Sequence, residues 1–327
     1  MGDKGPIFLA GIDRSGIGFL CELLESHPNI AMTRRTNFWS FYFRRFGDLK
    51  YPENVNRCLE AMTRYSRLQD LQPQPERIRR EFQNGEPTYA RLFALIEQHN
   101  AERLGKPRWG DKSLNAEGHA VVILGAYPSA RMVHVIRDPR DRYASALKHR
   151  KLGRGGAGAG TALWLWSARL AKLNLRRYPD RYMVVRYETL VAQPEATLRA
   201  VCRFLGEEYS PAMLAANKGS PHGSDGERQR PIWTTSVGKF RDVLLDRDIA
   251  FMQMCAWREM SEFRYHPVPL HFSLAGGLRF YLADFPTHLA LMAGSRAKLA
   301  VRNAMGRTPS ARRIASGQNS GTEASAY

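Results

Sequence analysis

Four residues, Ile12, Asp13, Arg14 and Ser15, separate Gly11 from Gly16. The apolar run Ile7 to Ile12 precedes this turn, and Phe19, Leu20, Leu23 and Leu24 follow it at helical spacing. A buried strand, a glycine turn and a helix start in that order gather unpaired backbone N–H groups and the positive end of a helix dipole at one point. That chemistry suits a phosphate or a sulfate.

A second basic point follows another apolar run. Residues 131–136 read as a strand, and Arg137 leaves its tip. Asp138 is placed to cap a helix whose first position is Pro139, with Tyr143, Ala144 and Leu147 on one face. Ser145 lies two turns in, so Arg137 and Ser145 can converge on one phosphate at the carboxyl end of a buried strand.

The spacing Gly11-x-x-x-x-Gly16 meets the glycine part of a P-loop, but Ile17 and Gly18 stand where nucleotide hydrolases carry Lys and Ser or Thr. The hydroxyl that would ligate Mg²⁺ is missing, and Arg14 offers a fixed positive charge instead.

These points need a scaffold. The 327 residues, 43% hydrophobic and 24% charged, suffice for a soluble domain with its own core. A third strand is expected at 182–186, a short one at 29–32, and helices at 116–126, 161–177 (Leu163, Trp166, Leu170 and Leu173 on one side) and 194–205. Strands interleaved with helices predict an α/β fold of three layers, a central parallel sheet with helices on both faces, nucleotide-hydrolase-like. Residues 38–104 read as a helical insertion whose aromatics, Phe38, Trp39, Phe41, Tyr42, Phe43 and Phe46, form a packed face. Residues 106–113 read as a loop or strand end, 153–160 as a flexible glycine-rich connection, and 218–235 as a surface loop. The domain is expected to span 1–265, followed by a basic amphipathic extension over 266–307 and a disordered tail over 308–327.

The net charge of +18 favours anionic partners. From Val268 onward seven basic residues face two acidic ones, and the segment 278–313, broken at Pro286, could contact an anionic membrane peripherally. Cys21, Cys58, Cys202 and Cys255 form no CxxC pair, which predicts a reducing compartment and neither a zinc site nor a disulfide framework. Residues 1–6 run directly into the first strand, predicting no leader and a cytoplasmic protein.

In this order the segments resemble the PAPS-dependent sulfotransferases, particularly the bacterial carbohydrate-type branch, over residues 6–262. Residues 6–20 are similar to that family's 5′-phosphosulfate loop, 133–145 to its 3′-phosphate motif, and 184–206 to the segment after its third strand. Residues 109–113 and 236–244 match two weaker segments. The resemblance implies that Arg14, Ser15, Gly16, Ile17, Gly18 and Phe19 hold the 5′-phosphosulfate and that Arg137 and Ser145 hold the 3′-phosphate. It sets Tyr187 near the adenine and Gly238 and Lys239 near the 3′-phosphate. It implies PAPS as co-substrate, a glycan or glycolipid acceptor, no metal and no nucleic acid. Two departures stand out: Ile17 replaces the usual Thr, and Arg34-Arg35-Thr36 lacks the Glu that members often carry. Asp111, Glu117 and His119 are the substitute bases, Asp111 favoured because Asp111-Lys112 matches the segment near the acceptor; Arg14, Asp111, Lys112 and His119 are the expected catalytic set. The alternatives are an ATP-binding kinase, disfavoured by Ile17-Gly18, and a degenerate member that binds nucleotide without turnover.

Overall fold

The computed structural model describes residues 4–148, 153–215 and 236–305. Five strands, β1 (Ile7–Ala10), β2 (Ile30–Arg34), β3 (Arg108–Lys112), β4 (Arg131–Ile136) and β5 (Tyr182–Arg186), form one parallel sheet in the order β2-β3-β1-β4-β5. Helix α1 (Ile17–Glu25) follows β1, and α2 (Phe38–Phe41), α3 (Pro52–Thr63), α4 (Ser66–Gln69), α5 (Pro75–Gln83) and α6 (Tyr89–Arg103) fill the crossover from β2 to β3. A 3-10 turn (Ala116–His119) and α7 (Ala120–Ala126) lead to β4; α8 (Pro139–Leu147) and α9 (Gly156–Arg177) lead to β5. Beyond β5 come α10 (Tyr187–Ala192), α11 (Pro194–Leu205), α12 (Ala212–Ala215), α13 (Phe240–Val243) and α14 (Asp246–Glu262). The described chain ends in α15 (Leu274–Arg279), a π turn (Phe280–Asp284) and α16 (Phe285–Met305).

Alternate residues of β1 enter opposite layers, as the twofold period of a strand requires. Phe8 joins the insertion, where Phe38 stacks on Phe93 with ring centroids 4.5 Å apart. Ile7 and Leu9 pack against α1, α10 and α11 through Leu20, Leu24, Leu190 and Leu198. Each fully buried side chain of this size contributes about 1.5–3 kcal/mol, so both layers hold the sheet. Pro52 and Pro75 each open a helix, a position where the missing N–H costs nothing.

Four expectations are corrected. Residues 108–112 are a full, buried strand between β1 and β2 despite Arg108, Asp111 and Lys112. Arg108 is accommodated because its guanidinium donates to the carbonyls of Gly5 and Leu205 at 2.7 Å and to Glu207 at 3.0 Å. The glycine-rich stretch is not a flexible connection: α9 begins at Gly156, and α16 lies so close that a Cβ on Gly158 would run into the His288 carbonyl. The inner face of α9 is Trp164, Leu165, Ala168 and Ala171, one position off the expected stripe, and Leu173 is exposed. Pro286 does not break the last helix, because it sits in the first turn of α16 directly after the π turn. The expected loop at 218–235 and tail at 308–327 lie outside the described residues.

Gly158→Ala should lower stability by about 1–3 kcal/mol, although alanine is the better helix former, because the added methyl forces α9 and α16 apart. A thermal melt checks this; an unchanged or raised Tm would show that the two helices do not pack this closely.

Candidate active site

Parallel pairing of β1 with β4, Ala10 opposite His134, brings the two strand ends side by side. After β1 the backbone enters the left-handed region at Gly11, Arg14 and Gly16, with φ of 143°, 66° and 95°. A Cβ on Gly11 would lie 2.8 Å from Ser15 Oγ and 2.9 Å from the Val135 carbonyl, and one on Gly16 would enter the Tyr187 ring. Glycine is needed at both places for conformation and for space. Leu20 N–H makes the bond to the Gly16 carbonyl at 3.2 Å, so the amides of Ile17, Gly18 and Phe19 precede the intrahelical ladder, at the positive end of the helix dipole. The Ile17 side chain turns the other way, into the apolar layer with Leu20 and Val135. Gly18 has open space where a Cβ would be.

The two basic points meet. Arg14 Nε donates to Ser145 Oγ at 2.9 Å, and Arg137 Nη1 donates to the Arg14 carbonyl at 3.3 Å. Arg137 Nη2 donates to the Ser236 carbonyl at 2.7 Å, and the guanidinium lies 4.5 Å from the centre of the Tyr187 ring. Asp138 caps α8 through Arg140 N–H at 2.9 Å. From the first turn of α8, Asp141 accepts the Gly238 and Phe240 amides at 2.7 and 2.9 Å, which holds Gly238 and the exposed Lys239 beside the same helix start. Ser15 Oγ and Arg137 Nε are buried without a hydrogen-bond partner. Unsatisfied buried polar groups are costly, and a polyanion seated here would satisfy both. Burial draws the Arg142 guanidinium down to about 10, opposed by Asp13, whose carbonyl accepts from Arg142 Nε at 3.0 Å. Burial also pushes the Tyr187 phenol up.

Behind the loop, Glu117 Oε2 accepts the Gly11 amide at 3.1 Å and Oε1 accepts the Ser167 hydroxyl at 2.6 Å. His134 links Ser167, 3.0 Å from Nε2, to the Tyr182 hydroxyl, 2.8 Å from Nδ1. Because Ser167 spends its one proton on Glu117, His134 donates from Nε2 and accepts at Nδ1, the neutral form that burial favours. Glu117, a candidate base by sequence, is thus committed to the backbone of the loop.

The expected catalytic residues occupy different surroundings. Arg14 is in the glycine turn after β1. Lys112 is buried on the α1 side, where burial lowers its pKa while Cys21 and Asp13 oppose the change. Asp111 has no exposed surface; Thr36 and Ser113 hydroxyls donate to it at 2.8 Å and Thr33 at 3.2 Å. Burial pushes its carboxyl up to about 6 against those three donors. Buried Glu97 shares Thr33, 3.1 Å away, and is raised far above the usual carboxylate range by burial and by Asp111. His119 is half-buried beside α2, its Nε2 3.4 Å from Ser40 Oγ. Residues missed in the sequence are Asp141, Arg142 and Glu188, the last accepting the Asp138 amide and the Tyr265 hydroxyl at 2.9 Å each. Their partners lie up to 129 residues away in the chain, a separation that no local pattern encodes.

The profile of the sulfotransferase family matches residues 6–211, more than half of the chain. The chain belongs to the sulfotransferase family. It is 23% identical over 216 residues to a protein-tyrosine sulfotransferase of Drosophila melanogaster, a match covering 64% of this chain and 39% of that relative. The chain thus spans about two fifths of that relative's length. The sulfotransferase domain of the Synechococcus PCC 7002 olefin synthase superposes with a TM-score of 0.57 at 22% identity, covering 81% of this chain and 95% of the other. The sulfotransferase domain from the curacin biosynthetic pathway gives 0.57 at 16%, covering 81% and 99%. Both agree with the P-loop-like α/β fold of this chain.

The raised Asp111 carboxyl has a measurable consequence. The folded protein holds that proton to about pH 6, whereas the unfolded chain releases it near pH 4, so this group's stabilisation, on the order of 2–3 kcal/mol, is present below pH 4 and lost as pH rises through 6. Asp111→Asn should flatten that part of the Tm-against-pH curve; a curve parallel to the parent's between pH 4 and 7 would overturn it.

Proposed function

We propose that this sulfotransferase moves the sulfuryl group of 3′-phosphoadenosine 5′-phosphosulfate (PAPS) to a hydroxyl of a carbohydrate or glycolipid, without a metal. The observation that carries the reading is the meeting of Arg14, Arg137 and Ser145 at the adjacent ends of β1 and β4. One small molecule with two anionic ends requires two neighbouring cationic cradles. Arg14, Ser15 and the amides of Gly16, Ile17, Gly18 and Phe19 take the 5′-phosphosulfate. Arg137, Ser145, Gly238 and Lys239 take the 3′-phosphate, with Tyr187 beside the adenine. The two unpartnered buried groups, Ser15 Oγ and Arg137 Nε, support this placement.

In the reaction the acceptor oxygen bonds to sulfur as the bond from sulfur to the bridging oxygen breaks, and negative charge grows on that leaving oxygen. Arg14, Lys112 and the loop amides stabilise the charge without reorganising, the largest effect available to a fixed polar site. The acceptor proton passes to a base, for which Asp111 and His119 are our candidates. A carboxyl raised to about 6 suits proton transfer near neutrality, and His119 is the more open of the two. The carbohydrate or glycolipid acceptor rests on the branch that the motifs resemble.

Calorimetric titration with PAP, the desulfated donor, should show tighter binding than ATP with Mg²⁺; the reverse order would overturn the donor. Arg14→Ala and Arg137→Ala should each lower transfer from labelled PAPS by about a hundredfold or more, and parent-like rates in both would remove the site. In an acceptor screen, label on a tyrosine peptide and on no glycan or glycolipid would overturn the acceptor class alone.

A further inference from the structure

From Leu274 to Met305 the chain is one helical rod, α15, the π turn and α16, seated on the domain along a single line of side chains. Phe280 stacks on Phe272 with centroids 5.6 Å apart, and the Phe285 and His288 rings lie 5.4 and 5.1 Å from Phe251. His288 Nε2 stands 3.1 Å from Asp248 Oδ1, and Met292 is buried. The five-residue step from Phe280 to Phe285 matches the wider π turn, which keeps both rings on the inner side.

The outer side is the reverse of an ordinary surface helix. Leu274 is 94% exposed and Leu282 71%; Leu278, Tyr281 and Leu289 are exposed as well. Between 274 and 294 the one exposed charged side chain is Arg279. A solvent-facing helix is normally polar there, and a contiguous apolar face of this size marks a contact surface. Its flanks are cationic. Asp284 is the single acidic residue between 266 and 301, and it is paired with Arg247 at 3.9 Å and Arg279 at 3.7 Å. Arg296 and Lys298 are exposed on the same rod, and the sequence adds Arg302, Arg307, Arg312 and Arg313 before the next acid, Glu323.

We propose that the outer face of residues 274–301 docks this protein in the plane of an anionic phospholipid surface. Leu274, Leu278, Tyr281 and Leu282 enter the boundary between headgroups and acyl chains, and Arg296 and Lys298 meet lipid phosphates. No helix among the described residues is long and apolar enough to cross a membrane, which fits a rod lying flat. Charge separates a bilayer from a second copy of this chain, because two identical cationic flanks repel each other while anionic lipid neutralises them. The proposal stands independently of the donor and acceptor assigned above.

The test is co-sedimentation of the full chain with vesicles of phosphatidylcholine, with and without phosphatidylserine. Binding is expected on the phosphatidylserine vesicles and weak on phosphatidylcholine alone. The double variant Leu278→Glu/Leu282→Glu and the double variant Arg296→Glu/Lys298→Glu should each weaken binding by about tenfold or more. Both should leave the melting temperature and PAP titration at the parent's values, since these side chains are exposed. Absence of binding to phosphatidylserine vesicles, or equal binding by parent and variants, would overturn the proposal. So would a lipid-free dimer that the leucine variants dissociate, which would give the face to a second copy.

Discussion

The parallel pairing of β1 with β4 is the constraint on which the site depends. Each strand ends in a turn that starts a helix, and with Ala10 opposite His134 the two turns open on the same side, a few ångströms apart. Arg14 and Arg137, 123 residues apart in sequence, can then share a contact. Strand order also sets this position: β3 and β4 flank β1, and crossovers leave in opposite directions, the arrangement beside which such sheets bind ligands.

Holding that loop open takes buried polar structure. Left-handed backbone at a non-glycine residue such as Arg14 persists only where its surroundings over-determine it. Three restraints do so here: the Ser145 hydroxyl and the Arg137 guanidinium in front, and the Glu117 carboxyl on the Gly11 amide behind. Glu117 is buried under this loop. Its chain of Ser167, His134 and Tyr182 satisfies it internally, so it acts as an anchor for the amide.

Buried polar partners also sustain the least strand-like strand. β3 carries Arg108, Asp111 and Lys112, and two of them are offset by named partners: Arg108 by carbonyls and Glu207, Asp111 by three hydroxyls, while burial lowers the pKa of Lys112. Burial without such partners would cost several kcal/mol per charge. Charged residues in the middle of the sheet also mean that β3 delivers polar groups to the carboxyl end of the sheet, which an all-aliphatic strand could not.

Elements whose signals are local can be read from the residues alone. The strands at residues 7 and 131, the glycine turn, the capped helix at Asp138 and the helix over 194–205 follow from side-chain period and cap chemistry, and with them the α/β class. Tertiary structure alone decided the matters that depend on distant partners. It made 108–112 a strand and 156–160 a helix turn, because Glu207, Leu205 and His288 stand where they do. It sent Ile17 into the core, so that replacing the usual threonine leaves the loop amides in place. It enclosed Asp111, assigned Glu117 to the loop, and recruited Asp141 to hold Gly238. Periodicity records which side of an element is buried, but not what covers it, and the state of a buried polar group is set by what covers it.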